Sequence, residues 1–364
     1  MFLRNAWYMA GWSDGLADQP RRMRILDEGI ALARLSDGTA FALADRCPHR
    51  FASLGEGKLI EDALQCPYHG LRFDRTGQCV HNPHGDRKIP DRARVGSYPL
   101  VERHGALWIW MGAPEAACES MIPDFSVLAR PDVVSSHDYL KVNANYELVT
   151  DNLLDLSHVE FLHPFLANPN FAERSRREVK QEGSTIWAYM WNDNEPVTPL
   201  LRLIWDGEED SGDLRSHMRW TAPSNLLLEV GITYRGASPD VGPFMPSAHL
   251  LTPETEHSTH YFWAMGRNRR QDDADLTQAI HEGVAKAFAT EDEPMIARVA
   301  ENMGAADFWG LEPIILRGDT AAVRARRLLS KMIRDEAGGH VAAAPGPDTS
   351  NADSVPVDGR LPTL

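Results

Sequence analysis

Two short motifs constrain this chain more than any other feature. They are Cys47-Pro48-His49 and, after a gap of sixteen residues, Cys66-Pro67-Tyr68-His69. Each offers one soft thiolate and one imidazole within a few positions, and both ligand types suit iron or zinc. A Cys₂His₂ zinc site is the competing reading, but zinc fingers group Cys with Cys and His with His. Here every Cys is paired locally with a His, so each loop can reach both metals of a binuclear centre.

That ligand set, with two Cys on one iron and two His on the other, is that of a Rieske 2Fe–2S cluster. The flanks agree with a cluster loop. Pro48 and Pro67 stiffen the backbone, Gly55, Gly57 and Gly70 allow tight turns, and the Tyr68 hydroxyl is expected to face a cluster sulfur. Cys79 and Cys118 lack a His at comparable spacing and read as free, partly buried thiols. His81 and His84 read as loop histidines bonded to backbone.

Composition removes other classes. With 52 acidic against 37 basic residues in 364, the net charge of −15 argues against nucleic acid or anionic lipid as partner. No apolar run approaches the ~20 residues that span a membrane, and the first residues lack a signal-peptide pattern. Four cysteines are too few for a disulfide scaffold, which makes the reducing cytoplasm the expected compartment.

Organisation follows from patterning. Residues 1–112 read as β, with a hairpin around Asp37-Gly38 and a buried strand over 105–111. A connector is expected at about 113–131. A helix is expected over 146–163, strands after 176, and a helix over about 274–302 with Ile280, Val284, Phe288, Ile296 and Val299 on its apolar positions. Another helix covers 320–334. The stretch from 337 reads as a low-complexity tail. The domains are expected at 1–115, 116–336 and 337–364.

A second ligand-rich segment runs from Asp151 to Pro164. His158 and His163 are five apart, about 140° round an ideal helix, so they do not share a face. Pro164 disfavours α geometry at His163, which lets the helix loosen and the two rings converge. With a carboxylate they would form the 2-His-1-carboxylate set of non-haem Fe(II) oxygenases. Asp292, then Glu291, are the candidates, and composition alone does not choose between them. Asp155 stands three residues before His158, where its carboxylate is expected to accept the ring Nδ1–H. Arg46, Arg50, Lys58 and Arg72 surround the cluster loops as a docking patch or as ordinary surface charge.

Together these stretches resemble the oxygenase (alpha) component of Rieske non-haem iron oxygenases, and more narrowly the O-demethylating branch that includes the dicamba and vanillate enzymes. The resemblance runs over about residues 3–335 and is carried by Asn5 to Ala10, the two cluster loops, Cys79 to Gly85, Asp151 to His163, His249 to Glu254 and Glu291-Asp292. It implies an α+β architecture, with an all-β Rieske domain and a catalytic domain whose antiparallel sheet packs on helices. It implies a 2Fe–2S cluster on Cys47, His49, Cys66 and His69, and mononuclear Fe(II) on His158, His163 and Asp292.

The same resemblance implies a homotrimer in which His69 of one subunit faces Asp155 of the next, making Asp155 an electron conduit, with Asn152 close to the iron. It implies monooxygenation with O₂ and electrons from NAD(P)H through a ferredoxin or flavin reductase, releasing formaldehyde from a methoxylated aromatic substrate. N-dealkylation or hydroxylation of a methyl or ring carbon is the alternative on the same metals. A simple electron-transfer protein is a remote one. His249 aligns with a substrate-contacting histidine of the dicamba enzyme. Leu228 and Gly283 stand where that enzyme uses Asn and Trp, which points away from dicamba itself.

Overall fold

The computed structural model describes residues 1–17, 19–238 and 241–339. Nearly all of the expected tail, 340–364, lies outside them.

The N-terminal region is built from three small antiparallel sheets. The Asp37-Gly38 hairpin forms as the sequence predicts, Glu28–Arg34 pairing with Ala40–Ala44. The cluster loops hang from a sheet of very short strands, Lys58–Ile60, Ala63–Gln65, Arg72–Phe73 and Cys79–His81. Beneath them sits a separate small core containing Phe41, Leu43, Leu54, Leu64, Phe73 and the sulfurs of Cys47, Cys66 and Cys79.

The strand Trp7–Trp12 pairs with Ala106–Trp110, and these strands join a larger core that continues into the C-terminal region. The two regions are tied by main-chain bonds from Leu26 to Pro253 and from Asp27 to Glu254. Thr252 Oγ1 also donates to the Met9 carbonyl at 2.7 Å.

The C-terminal region carries a seven-stranded antiparallel sheet in the order Val134–Val142, Ser258–Arg267, Phe244–Thr255, Asn225–Thr233, Ser211–Thr221, Thr185–Pro196, Arg176–Glu182. Side chains alternate between faces. On one face a single cross-strand row runs Met218, Leu228, Ser247, Met265. On the other, Trp187, Tyr189 and Trp191 stack in a ladder with ring centres 5.5–5.9 Å apart.

Three expectations about helices change. The predicted helix over 146–163 is two helices, Tyr146–Leu154 and Val159–Leu162. It breaks at Asp155, whose φ of −96° and ψ of 86° lie outside the α region. The Asp155 carboxylate accepts from the Ser157 N–H at 2.9 Å, an Asx turn that competes with helix continuation. The helix over 274–302 is likewise split into Ala274–Ala287 and Glu293–Met303 by a five-residue π-turn, Phe288–Asp292. Val299, expected in the core, is exposed. The last helix extends to Ala337 rather than ending near 334.

The first helix is capped by Asn145, whose side chain accepts from the Glu147 N–H. It is clamped to the last helix by Arg326. The buried guanidinium reaches Asp151 Oδ2 at 2.7 Å and Glu147 Oε2 at 3.0 Å, and lies 4.2 Å from the Phe308 ring centre. Burial outweighs Arg326 and pushes the Asp151 carboxyl up to about 6.

Candidate active site

The two cluster loops are built alike. Cys47 N–H donates to the Ala52 carbonyl and Phe51 N–H to the Cys47 carbonyl. In the second loop Cys66 pairs with Leu71 and Gly70 with Cys66 in the same way. The fourth residue after each Cys is left-handed, Phe51 at φ 62° and Gly70 at φ 73°. Gly57 lies against the second loop so closely that a Cβ there would meet the Gln65 carbonyl at 2.0 Å.

This geometry sinks both sulfurs and raises both imidazoles. Cys47 and Cys66 are 2% exposed, while the rings of His49 and His69 sit above them with centres 4.5 Å apart. Burial, with Cys66 adjacent, pushes the Cys47 thiol up to about 11, and His69 Nδ1 is buried without a hydrogen-bond partner. An orphaned imidazole nitrogen above a pair of buried thiols fits a Rieske cluster, which would take both sulfurs as thiolate ligands and the imidazoles as nitrogen ligands.

His84 Nε2 lies 2.7 Å from the His69 carbonyl, which makes it the loop histidine the sequence predicts. Tyr68 is exposed, its ring centre 3.9 Å from that of His69. It therefore covers the imidazole side rather than the buried sulfurs. Cys79 is buried and Cys118 exposed, both as free thiols. Of the four nearby cations, Arg72 is paired with Glu61 at 2.8 Å.

The second site gathers residues far apart in sequence. Atoms of His158, His163 and Asp292 lie within 4.8 Å of one another. Asp292 Oδ1 is 3.1 Å from His163 Nε2 and 3.6 Å from His158 Nε2. His163 has left the α region, with φ −127° and ψ 72°, as the following proline requires.

Each ring is oriented by an acceptor on its other nitrogen. His163 Nδ1 lies 2.6 Å from Glu291 Oε2, and His158 Nδ1 lies 2.5 Å from the backbone carbonyl of Asp155. Both acceptors require an Nδ1–H, which turns the two Nε2 lone pairs toward Asp292. The expectation for Asp155 is corrected here. Its main chain holds His158, and its carboxylate Oδ1 accepts from Ser157.

The two adjacent acids divide the work because the π-turn aims both at one ring. Burial disfavours a charged His163, but Asp292 and Glu291 outweigh it and hold its pKa above the ordinary value. A cation seated between Nε2 and Asp292 would take over the role of that proton, so the donor set fits a divalent metal. Asn152 Nδ2 donates to Asp292 Oδ1 at 3.1 Å and fixes the carboxylate from the helix side. Sequence reasoning missed Glu291 as an orienting group, and missed Arg326 and Tyr261 altogether. The one available signal was the run of acids Glu291-Asp292-Glu293 before Pro294.

The three residues open onto a cavity of about 400 Å³. Its walls include the sheet row Met218, Leu228, Ser247 and Met265. The expected substrate contacts His249, Leu228 and Gly283 all line it. His249 is buried, its Nδ1 2.6 Å from Tyr261 Oη.

Paired Cys and His on β-suspended loops, in one chain with a 2-His-1-carboxylate set at a cavity wall, define a Rieske-type oxygenase. The chain matches the Rieske [2Fe-2S] domain family over residues 6–99 and the vanillate O-demethylase oxygenase C-terminal domain family over 142–335. It belongs to the Rieske oxygenases, as an oxygenase component of the vanillate O-demethylase type. It is 38% identical to the oxygenase component of chloroacetanilide N-alkylformylase from Rhizorhabdus wittichii, covering 92% of this chain and 97% of that one. It is 37% identical to the oxygenase component of dicamba O-demethylase from Stenotrophomonas maltophilia, covering 92% and 99%. The crystal structure of dicamba monooxygenase bound to dicamba superposes with a TM-score of 0.87 at 36% identity, covering 93% of this chain and 99% of that one.

Proposed function

We propose that this chain is the terminal oxygenase of a multicomponent system that removes the methyl group of a methoxylated aromatic compound. One observation carries the reading: His158, His163 and Asp292 converge at the wall of a mainly apolar cavity in a chain that also has a Rieske domain. His158, His163 and Asp292 would hold mononuclear Fe(II). Cys47, His49, Cys66 and His69 would hold the 2Fe–2S cluster. Fe(II) supplies O₂ activation when bound, with electrons from NAD(P)H through a ferredoxin or flavin reductase. Asp292 is held by Asn152, the imidazoles are aimed by Glu291 and the Asp155 carbonyl, and the apolar walls place substrate carbon against the metal and exclude water.

The proposed assembly is a head-to-tail homotrimer in the cytoplasm, with the cluster of one subunit beside Asp155 of the next. Exposed apolar side chains near both faces support it. Phe51 and Tyr68 flank the cluster, Phe161 lies between the two iron histidines, and Leu316 adjoins the Arg317–Asp319 turn behind Asp155. Among the described residues no helix is long and apolar enough to cross a membrane. A domain division near 115 accompanies this reading.

N-dealkylation is the second reading, supported by the 38% identity to a chloroacetanilide enzyme. The test is turnover of the holoenzyme with a reductase and ferredoxin, with formaldehyde measured against NADH use on methoxybenzoates, methoxybenzamides and N-alkyl anilides. Formaldehyde in step with NADH supports demethylation. NADH use without any dealkylated product on the whole panel sinks it.

A further inference from the structure

We propose that the cavity takes an uncharged aromatic ether or amide that offers one hydrogen-bond acceptor, and that Tyr261 readies His249 to donate to it. The inference deepens the oxygenase reading above and rests on it.

The donor comes first. Tyr261 Oη and His249 Nδ1 are 2.6 Å apart and buried. Burial holds the Tyr261 phenol well above its ordinary pKa, so it keeps its proton, and Nδ1 is the one acceptor within its reach among the described residues, so the hydroxyl donates there. The imidazole proton then sits on Nε2. That atom is buried and has no protein partner, and His249 lines the cavity. Burial also pushes the His249 pKa down to about 4, so the ring is neutral in use. One uncharged N–H is thus left without a protein acceptor on a residue of the cavity wall.

The surroundings exclude a buried anion. Leu228 occupies the neighbouring strand of the same wall. Ser247 lines the wall too, but its hydroxyl donates to the Ala264 carbonyl at 3.1 Å. Among the described residues the only positively charged side chain on the lining is Lys286, which is exposed. Glu291 and Asp292 stand at the metal end. A carboxylate beside His249 would lose its hydration for neutral donors alone, the imidazole and the hydroxyls of Ser216 and Thr198, with no buried cationic side chain on the described lining to pair it. A carbonyl or ether oxygen would be satisfied by the imidazole donor, and an apolar ring by the walls.

The test is calorimetric titration of anaerobic holoenzyme with 2-methoxybenzoate, methyl 2-methoxybenzoate, an N-alkyl acetanilide and 2-ethyltoluene, which has no acceptor. The ester or the anilide is expected to bind about ten-fold or more tightly than the benzoate, and whichever binds better identifies the ether or amide source. Leu228→Asn is expected to narrow the gap. Tyr261→Phe is expected to weaken the carbonyl ligand about three- to ten-fold while sparing 2-ethyltoluene, a split that a general packing defect would not produce.

Benzoate binding as tightly as the ester and the anilide overturns the uncharged-ligand inference. Equal loss of carbonyl ligand and 2-ethyltoluene in Tyr261→Phe overturns the positioning role. Formaldehyde release on the same compounds reads the other claim. Preferential binding of the uncharged ligands without dealkylation removes the oxygenase reading alone, whereas dealkylation confined to the benzoate removes this inference alone.

Discussion

His158 Nδ1 is held by the backbone carbonyl of Asp155 at 2.5 Å, while the Asp155 side chain turns back to Ser157. One residue therefore has two separable parts. The main chain aims the His158 ring, and the carboxylate stays near the surface, backed by Gly318, where a Cβ would come within 3.1 Å of Oδ1.

Asp155→Asn is accordingly expected to keep about three irons per chain, because the carbonyl that orients His158 is unchanged. Turnover is expected to fall by an order of magnitude or more if the carboxylate carries contact to the neighbouring cluster. Iron analysis alongside NADH-coupled formaldehyde release checks both. Loss of iron would assign the side chain to metal retention, and full turnover would remove the conduit role.

The two acids of the π-turn are expected to separate in the same assay. Asp292→Ala should leave about two irons per chain with an unaltered Rieske spectrum. Glu291→Gln should retain mononuclear iron at stoichiometric loading but weaken its affinity roughly 10- to 100-fold. Competition with a chelator is the measurement. Equal behaviour of the two variants would contradict the division of roles around His163.

Removing Arg326 leaves Asp151 and Glu147 half-buried and unpaired. Arg326→Met is expected to cost about 3–5 kcal/mol and to loosen the helix that carries Asn152. The sign with pH is fixed by Asp151. Its carboxyl is raised to about 6, so the folded chain holds that proton more tightly than the unfolded one, and the group's contribution to stability falls as pH rises toward 6. Arg326 offsets that fall. The deficit of the variant should therefore be larger at pH 8 than at pH 5, read as the difference in Tm from wild type.

His217 supplies a prediction of opposite sign. It stands edge-on to Tyr189 and Trp191, opposite Glu229 on the next strand. Burial, then Arg215, pushes its pKa down to about 4. The unfolded chain binds this proton more readily, so stability is lost as pH falls below about 6.5 toward 4. His217→Phe should recover on the order of 1–2 kcal/mol at pH 5 relative to pH 7.5. Parallel Tm-against-pH curves for variant and wild type would refute it.

The cluster loops were legible because their ligands are neighbours in sequence, and loop chemistry written in Cys, Pro, Gly and His survives without tertiary context. The hairpin at Asp37-Gly38 was legible for the same reason. His158 and His163 could be paired because Pro164 gives a local cause for the break after them. The earlier break at Asp155 was missed because an Asx turn to Ser157 competed with helix geometry at a position whose apolar spacing still looked helical. Glu291, Arg326 and Tyr261 acquire their roles from partners 128, 175 and 12 residues away in sequence. Such pairings depend on how elements dock, which no local pattern encodes. The π-turn hid for a related reason. Its extra residue leaves Ile280, Val284 and Ile296 in the core, so the periodicity looks uninterrupted.

That π-turn also partitions how the site can change over evolutionary time. Phe288 opens it, lines the cavity and packs against His249, Tyr261 and Trp263. Asp292 closes it four residues later. A substitution that reshapes this wall also re-aims the carboxylate, so selection for a new substrate meets selection for metal retention in one turn of chain. The sheet row of Met218, Leu228, Ser247 and Met265 carries no such burden. Substrate range in this lineage is therefore free to drift on the strands, while the helical side stays fixed by its chemistry.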